Sequence, residues 1–288
     1  MVAYNPKDWF KLIIQFHKSD TFRRLIPAMI GIGIYAGLIS YLENDILGWK
    51  MKNPTAIHAI LGFVLSMLLV FRTNSAYDRW WEGRKIWGSF VNNSRNFSLK
   101  LDAFLPENHP DKKTLRILVS NYVFAVKNHL RGRYIAEEFE ECDLLSRQEM
   151  GVADHKPNRI AKALYKKIND LYSQKLLSNE QLLILNEELR SFTDNCGACE
   201  RIKSTPIPYS YNIYLKKIVF IYAMTLPIMF ATEHKYSTIP IAILVLYVFA
   251  SIELIAEEIE DPFGDDENDL PTDEICARIK KNISEILP

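Results

Sequence analysis

The residues that could perform redox or metal chemistry are few and widely spaced. Cys196 and Cys199 form a C-x-x-C pair, a spacing found in redox sites and in one half of zinc sites. No second C-x-x-C exists and no strand–helix–strand pattern surrounds this one, so two small residues buried in a helix remain the alternative. The six histidines form no HExxH motif, and neither a glycine-rich phosphate loop nor a G-x-S-x-G sequence occurs. No spacing therefore predicts an enzyme active site.

An acidic segment near the end of the sequence is the second chemical feature. Residues 253–274 contain eleven carboxylates and no Lys or Arg, a composition typical of a solvated acidic segment. Glu253, Glu257, Glu258 and Glu260 directly follow an apolar run, and carboxylates at a helix C-terminus oppose the helix dipole. We therefore expect these four to pair with Arg or Lys from the middle of the chain or from a neighbouring subunit.

The elements that must position these residues are predicted to be membrane helices. Charged residues make up 24% of the 288-residue chain, with 35 basic and 35 acidic side chains, and this neutrality argues against a nucleic-acid binder. Four stretches carry no charge: Leu25–Leu42, Asn53–Phe71, Ile218–Thr232 and Tyr236–Ile252. Uncharged runs near 18 residues predict transmembrane helices. The last two runs are short, so a buried hairpin of a soluble protein stays open for them.

The four runs form two hairpins, and the basic residues cluster before the first run and after the second. The positive-inside rule therefore places both termini and the middle section in the cytoplasm of a protein of the cell (inner) membrane. No cleavable signal peptide is recognisable. We predict a cytoplasmic interfacial segment, a first transmembrane hairpin, a helical cytoplasmic domain, a second transmembrane hairpin and an acidic cytoplasmic segment. Their bounds are 1–24, 25–71, 72–217, 218–256 and 257–288.

The cytoplasmic parts are predicted to be helical, which makes the fold class all-α. Apolar residues Trp9, Phe10, Ile13, Ile14 and Phe16 predict an amphipathic helix that lies on the membrane or packs on the cytoplasmic part. Ser178 and Gln181 fit a capping box at a helix start. Apolar residues follow at Leu182, Leu183, Leu185 and Leu189. We see no alternating strand pattern and expect a helical bundle.

The second apolar run carries two different faces. Phe63, Met67 and Phe71 recur every four residues and lie on one side of a helix. Gly62 and Ser66 form a small-xxx-small pair, which permits close helix contact. If identical chains surround an axis with the bulky side inward, each of the three residues becomes an apolar ring that gates ions by dewetting or by side-chain movement. A core-facing or lipid-facing stripe is the alternative.

Three motifs together give the chain a resemblance to a known family. Arg79-Trp80-Trp81 follows the second run, Cys196–Arg201 leads to the sequence Pro-Ile-Pro-Tyr before the third, and Glu260–Asp266 follows the fourth. In this order they resemble the bestrophin family over roughly residues 5 to 275. Taken alone, the tryptophans Trp80, Trp81 and Trp87, with neighbouring arginines, would be an interfacial anchor with cation–π contacts.

The resemblance implies a homopentameric ion channel whose neck is formed by Phe63, Met67 and Phe71. It also implies a second constriction at the cytoplasmic exit, which falls by position around Glu180 and Gln181; a ring of Glu180 carboxylates would favour cations. Animal bestrophins are activated by calcium, and Asp266 and Asp269 match the side-chain ligand positions of their acidic loop. No other cofactor is expected.

From the sequence we predict a channel that passes small monoatomic ions, with monovalent cations slightly favoured over chloride. A chloride channel of the same family is the first alternative. A membrane-embedded redox enzyme that uses Cys196 and Cys199 is the alternative from another class, and a membrane scaffold that binds a partner protein is a third.

Overall fold

The computed structural model describes residues 20–48 and 55–287, and within these ranges the chain is helical without a named strand. The membrane-surface helix predicted around Trp9 lies outside the described residues. We number the α-helices α1 Asp20–Tyr41, α2 Thr55–Phe104, α3 Asp111–Leu130, α4 Arg147–Val152, α5 Lys156–Ser173, α6 Asn179–Ser204, α7 Tyr209–His234, α8 Thr238–Glu260 and α9 Thr272–Ile286. The π-helical turn Leu42–Leu47 follows α1, and 3-10 turns occupy Ala136–Glu138 and Lys235–Ser237. The all-α prediction is confirmed.

Three helical stretches in the described residues are long and apolar enough to cross a membrane: Thr21–Leu47, Ala56–Phe104 and Tyr209–Glu260. The third stretch contains both α7 and α8. Helix α7 extends back past Lys216, so its 26 residues measure about 39 Å, enough for a core about 30 Å thick. It runs through Pro227 without interruption. The count of four spans in two hairpins stays a prediction.

The contacts of the chain divide it into two compact units. The apolar unit comprises the described residues up to Arg79 together with Pro206–Glu260, and the polar unit comprises Trp80–Thr205 and the residues from Asp261 onward. A division by contacts does not locate the membrane surface. The five segments that we derived from hydropathy and charge therefore remain predictions.

Small side chains line part of the core of the apolar unit. Ala36 of α1, Ala223 of α7 and Ala242 of α8 are buried together in one cluster. A Cβ at Gly33 would lie 3.0 Å from the Ile243 side chain. Small residues allow helix backbones to approach closely where no water drives helices together, which explains how α1, α7 and α8 pack against one another.

The core of the polar unit is larger and contains many aromatic rings. Trp87, Phe90 and Phe97 of α2 are fully buried beside Tyr122 of α3, whose hydroxyl donates to the carbonyl of Phe192 at 2.9 Å. Ser178 caps α6 with the predicted capping box. Of the predicted apolar stripe on α6, Leu185 and Leu189 are buried, but Leu183 is exposed because it lies off their face.

Candidate functional site

The three residues of the predicted neck lie on an outward face of α2. The exposed fractions of Phe63, Met67 and Phe71 are 66%, 46% and 58%, so none of them is sealed inside the chain. Val64 and Val70 on the same helix are exposed as well, so exposure alone does not separate a pore-facing stripe from a lipid-facing one. The neck therefore stays a prediction.

The opposite face of α2 is held within the apolar unit. Leu65 and Leu69 are buried in a cluster with Val219 of α7. A Cβ at Gly62 would lie 2.5 Å from the Tyr222 hydroxyl, so only glycine permits this approach. The close helix contact predicted for the small face is thus present at Gly62. With one face attached to α7, the stripe that begins at Phe63 is turned away from the rest of the unit.

A buried ion pair lies one residue beyond the stripe. Arg72 is only 1% exposed, and its Nη2 lies 2.6 Å from Glu260 Oε2 at the end of α8. The other carboxylate oxygen, Oε1, accepts the backbone N–H of Ile207 at 2.6 Å. Both oxygens of this buried carboxylate are therefore satisfied, as a buried charge requires. The pair ties α2 and the residues before α7 to the end of α8.

The other carboxylates at the end of α8 also have basic partners within the apolar unit. Lys216 of α7 lies 2.8 Å from Glu257 and 3.8 Å from Glu253, and Arg24 of α1 lies 3.6 Å from Glu258. The expected pairing with Arg and Lys is present. Two of the cations, Arg72 and Lys216, come from the ends of the predicted middle section, while Arg24 comes from the segment before α1's apolar run.

The Arg79-Trp80-Trp81 motif holds the backbone around the acidic segment. Arg79 Nε donates to the carbonyl of Glu260 at 3.1 Å within the apolar unit. Within the polar unit, Trp80 Nε1 donates to the carbonyl of Asn268 at 2.9 Å, while Trp81 is exposed. The motif thus has a hydrogen-bonding task that does not depend on a membrane interface.

Trp87 does not fit the interfacial anchor suggested for the tryptophans. Its side chain is fully buried in the core of the polar unit, 5.4 Å from the ring of Phe90. The anchor interpretation is wrong for this residue because its position on α2 faces the aromatic core, where burial of a large ring is favourable.

The two residues expected to bind calcium differ in environment. Asp269 is buried, its Oδ2 accepts the backbone N–H of Asp266 at 2.6 Å, and its Oδ1 is buried without a hydrogen-bond partner. Burial, reinforced by the charges of Asp266 and Asp261, raises the pKa of Asp269 to about 6. The side chain of Asp266 is on the surface. Asp269 therefore offers one free, pre-positioned oxygen, which is the kind of ligand that calcium takes.

Basic side chains of the polar unit bind two further carboxylates of this acidic segment. Arg133 lies 2.7 Å from Asp265, and Arg131 lies 2.7 Å from Asp273. Lys127, whose side chain is fully buried, lies 2.8 Å from Asp273. Hydrogen bonds from these cations lower the pKa of Asp273 despite its partial burial.

Glu180 and Gln181 lie in the first turn of α6. The Glu180 side chain is exposed and accepts the Ser178 hydroxyl at 2.7 Å, which lowers the pKa of this carboxyl. Gln181 Oε1 accepts the backbone N–H of Ser178 at 2.9 Å. Glu180 is thus an ionised surface group at neutral pH, whereas Gln181 completes the capping box. Their place at a cytoplasmic constriction remains a prediction.

Cys196 and Cys199 are buried, unpaired residues of the core of the polar unit. Burial and the neighbouring Glu200 raise the pKa of Cys196 to about 12, and burial likewise raises that of Cys199. Redox-active cysteines instead have lowered pKa values and access to solvent. The geometry matches the structural interpretation of this C-x-x-C.

Sequence reasoning missed one cluster of titratable side chains. His129, His155 and Glu200 meet in the polar unit, with each histidine Nε2 at 2.7 Å from Glu200 Oε1. Their separation along the chain gives no recognisable motif, so only the fold brings them together.

These features describe an all-helical membrane protein, and comparison with known proteins gives its family. The family described as Bacterial/Fungal Bestrophin protein matches residues 1–285. The chain therefore belongs to the bestrophin family, as its motifs predicted.

Several proteins of similar sequence are named as channel-forming proteins, and a protein of similar structure is named as a bestrophin homologue. A voltage-dependent anion channel-forming protein of Nostoc sp. is 35% identical over 286 residues, covering 97% of this chain and 92% of the relative. The voltage-dependent anion channel-forming protein YneE of Escherichia coli K12 is 29% identical over 285 residues, with 97% and 92% coverage. A crystal structure of a bacterial bestrophin homologue from Klebsiella pneumoniae aligns with a TM-score of 0.83 at 26% identity, covering 91% of this chain and 98% of that one.

Proposed function

We propose that this protein forms an ion channel through which small monoatomic ions cross the membrane passively. The observation that carries the proposal is the exposed stripe of Phe63, Met67 and Phe71 on α2, whose opposite face is fixed against α7. The names of the relatives, which match nearly the whole chain, support a channel.

The proposed channel is a homo-oligomer, a pentamer by the family resemblance, whose subunits bring their stripes together around an axis. The three apolar residues of each subunit then form the neck, where a constriction gates ions by losing its water. We further propose four membrane spans in contact with lipid, an inner-membrane location and cytoplasmic termini. The basic residues before the first apolar run and after the second support this orientation.

The sign of the permeant ion has two candidate answers. A cation preference is supported by Glu180, an exposed carboxylate with a lowered pKa at the start of α6. Chloride is supported by the names of the relatives, which are anion channel-forming proteins. We retain a slight preference for monovalent cations as the proposal, and chloride as the second candidate.

Calcium binding at Asp266 and Asp269 is a separate proposal. The unpartnered Oδ1 of Asp269 supports it, and calcium would add a positive charge that favours the ionised carboxylate. Asp266 would supply a second oxygen from the surface. Titration of channel current with calcium tests the proposal, and a current that does not respond, or a response retained by Asp269→Asn, contradicts it.

Ion flux from the purified chain in liposomes tests the channel itself. We expect salt-driven flux from the unaltered protein, and its absence would contradict both candidates. Reversal potentials in planar bilayers under asymmetric KCl then decide the ion sign. Glu180→Gln should shift the reversal potential towards that of chloride, whereas Glu187→Gln, an exposed carboxylate further along α6, should leave it unchanged. An unaltered reversal potential in Glu180→Gln contradicts the cation ring.

The same liposome assay distinguishes the channel from the alternative of a redox enzyme. Serine at both Cys196 and Cys199 should leave flux intact if the pair only fills the core. Complete loss of function in a variant that still folds and assembles would favour the redox alternative.

A further inference from the structure

Three metal-ligating side chains from three helices converge in the polar unit. His129 belongs to the last turn of α3, His155 caps the start of α5 and Glu200 lies on α6. The Nε2 atoms of both histidines lie 2.7 Å from Glu200 Oε1, and the three ligand atoms all lie within 4.8 Å of one another. Among the described residues, this is the one group of three His, Cys, Asp or Glu side chains with such geometry.

We propose that His129, His155 and Glu200 bind a divalent transition-metal ion of the zinc type. Two imidazole nitrogens with one carboxylate are donors that zinc prefers, whereas calcium and magnesium take oxygen ligands. Zinc binds such donors at about 2.0–2.2 Å in a tetrahedron, which places neighbouring ligand atoms about 3.3 Å apart. The two nitrogen–oxygen distances of 2.7 Å therefore need to open by about half an ångström.

The exposure of the cluster suits a site with one position open to water. About a third of each of the three side chains is exposed, so an ion can reach them from solvent. The cations near His129 are already neutralised in part, because Arg131 and Lys127 pair with Asp273. The electrostatic repulsion between a divalent ion at the cluster and these two side chains is therefore reduced.

The ion replaces the two hydrogen bonds between the histidines and Glu200, and one further hydrogen bond competes with it. His155 Nδ1 accepts the backbone N–H of Asn158 at 3.1 Å and so caps α5. When Nε2 binds a metal, the ring proton lies on Nδ1, and the cap is lost. Loss of a helix cap weakens the affinity by roughly fivefold, which is small beside the contribution of zinc–ligand bonds. The site therefore binds zinc, at an affinity reduced by this competition.

Zinc binding by the full chain in detergent tests the inference without any channel assay. After treatment with a chelator and its removal, equilibrium dialysis against ZnCl₂ with metal analysis should give one zinc per chain. His129→Ala and Glu200→Gln should weaken binding by at least 10-fold. His109→Ala is the matched control, because this partly buried histidine also accepts a backbone N–H, from Asp111, through Nδ1 but lies outside the cluster.

A second measurement keeps the inference testable if a variant folds poorly. Ligand binding raises the thermal midpoint of a folded protein that binds it. Zinc should therefore raise the midpoint of the unaltered chain and of His109→Ala but not of Glu200→Gln. Absence of stoichiometric zinc in the unaltered chain, or equal binding by Glu200→Gln and the unaltered chain, overturns the proposal.

Discussion

Removing the charge of Glu260 should cost the apolar unit much of its stability. The carboxylate accepts from Arg72 at 2.6 Å and from the backbone of Ile207 at 2.6 Å, and Arg72 is almost completely buried. In Glu260→Gln the guanidinium keeps its charge but loses its counterion, in a place that water does not reach. Breaking a buried pair from one side costs about 3–5 kcal/mol, because the remaining charge is uncompensated.

Thermal unfolding in detergent, followed by circular dichroism, measures this loss. A loss of 1 kcal/mol shifts the midpoint by about 2–4 °C in domains of 150–250 residues, so Glu260→Gln should lower it by roughly 10 °C. The control is Glu257→Gln on the same helix, whose half-exposed pair with Lys216 contributes about 0–1 kcal/mol. This variant should shift the midpoint by only a few degrees.

A double-variant cycle separates the pair from its surroundings. Arg72→Met combined with Glu260→Gln removes both charges of the pair, so the double variant should be more stable than the sum of the two single losses predicts. Additive losses, or a Glu260→Gln midpoint equal to that of Glu257→Gln, would refute the reasoning that the buried pair is energetically coupled.

Three further outcomes follow from other parts of the structure. Alanine at all three neck positions, Phe63 and its two successors on the stripe, should widen the constriction and increase liposome flux at least severalfold; unchanged flux contradicts the neck. Gly62→Val should destabilise the chain by about 1–3 kcal/mol through overpacking, and Tyr222→Ala in the same chain should restore part of the loss, as unfolding midpoints would show. Asp269 has a folded pKa of about 6 against an ordinary value of 3.8. Between these pH values the folded state therefore binds more protons than the unfolded state. The free energy of unfolding should fall by up to about 3 kcal/mol as pH rises through this range. Asp269→Asn should remove this loss. Asp273, whose pKa is lowered, instead contributes stability that disappears as pH falls through its folded pKa. The pH dependence of the free energy of unfolding should therefore change in opposite directions in Asp269→Asn and Asp273→Asn.

The predictions that succeeded depended on local sequence patterns. The capping box of Ser178 and Gln181 involves four consecutive residues, so its hydrogen bonds follow from the sequence alone. The close helix contact at Gly62 was predictable because helical periodicity decides which residues share a side. Family membership was recognisable because three separate motifs keep their order along the chain.

Partnerships between distant residues could not be read in the same way. Nothing local indicates that Glu260 binds Arg72, 188 residues away, although the excess of acids at a helix end required some cation. The cluster of His129, His155 and Glu200 gave no signal because the three residues are far apart along the chain and belong to three different elements of the fold. Trp87 was misread because tryptophan is common both at membrane interfaces and in aromatic cores.

Ion pairing weakens the far field of the acidic segment. At least seven of its eleven carboxylates have a basic group of the same unit between 2.6 and 3.8 Å away. At a distance, each such pair acts as a dipole whose potential decays faster than that of a single charge. Physiological salt screens the remainder beyond about 8 Å. The segment therefore gathers less sodium or potassium from bulk solution than eleven unpaired carboxylates would.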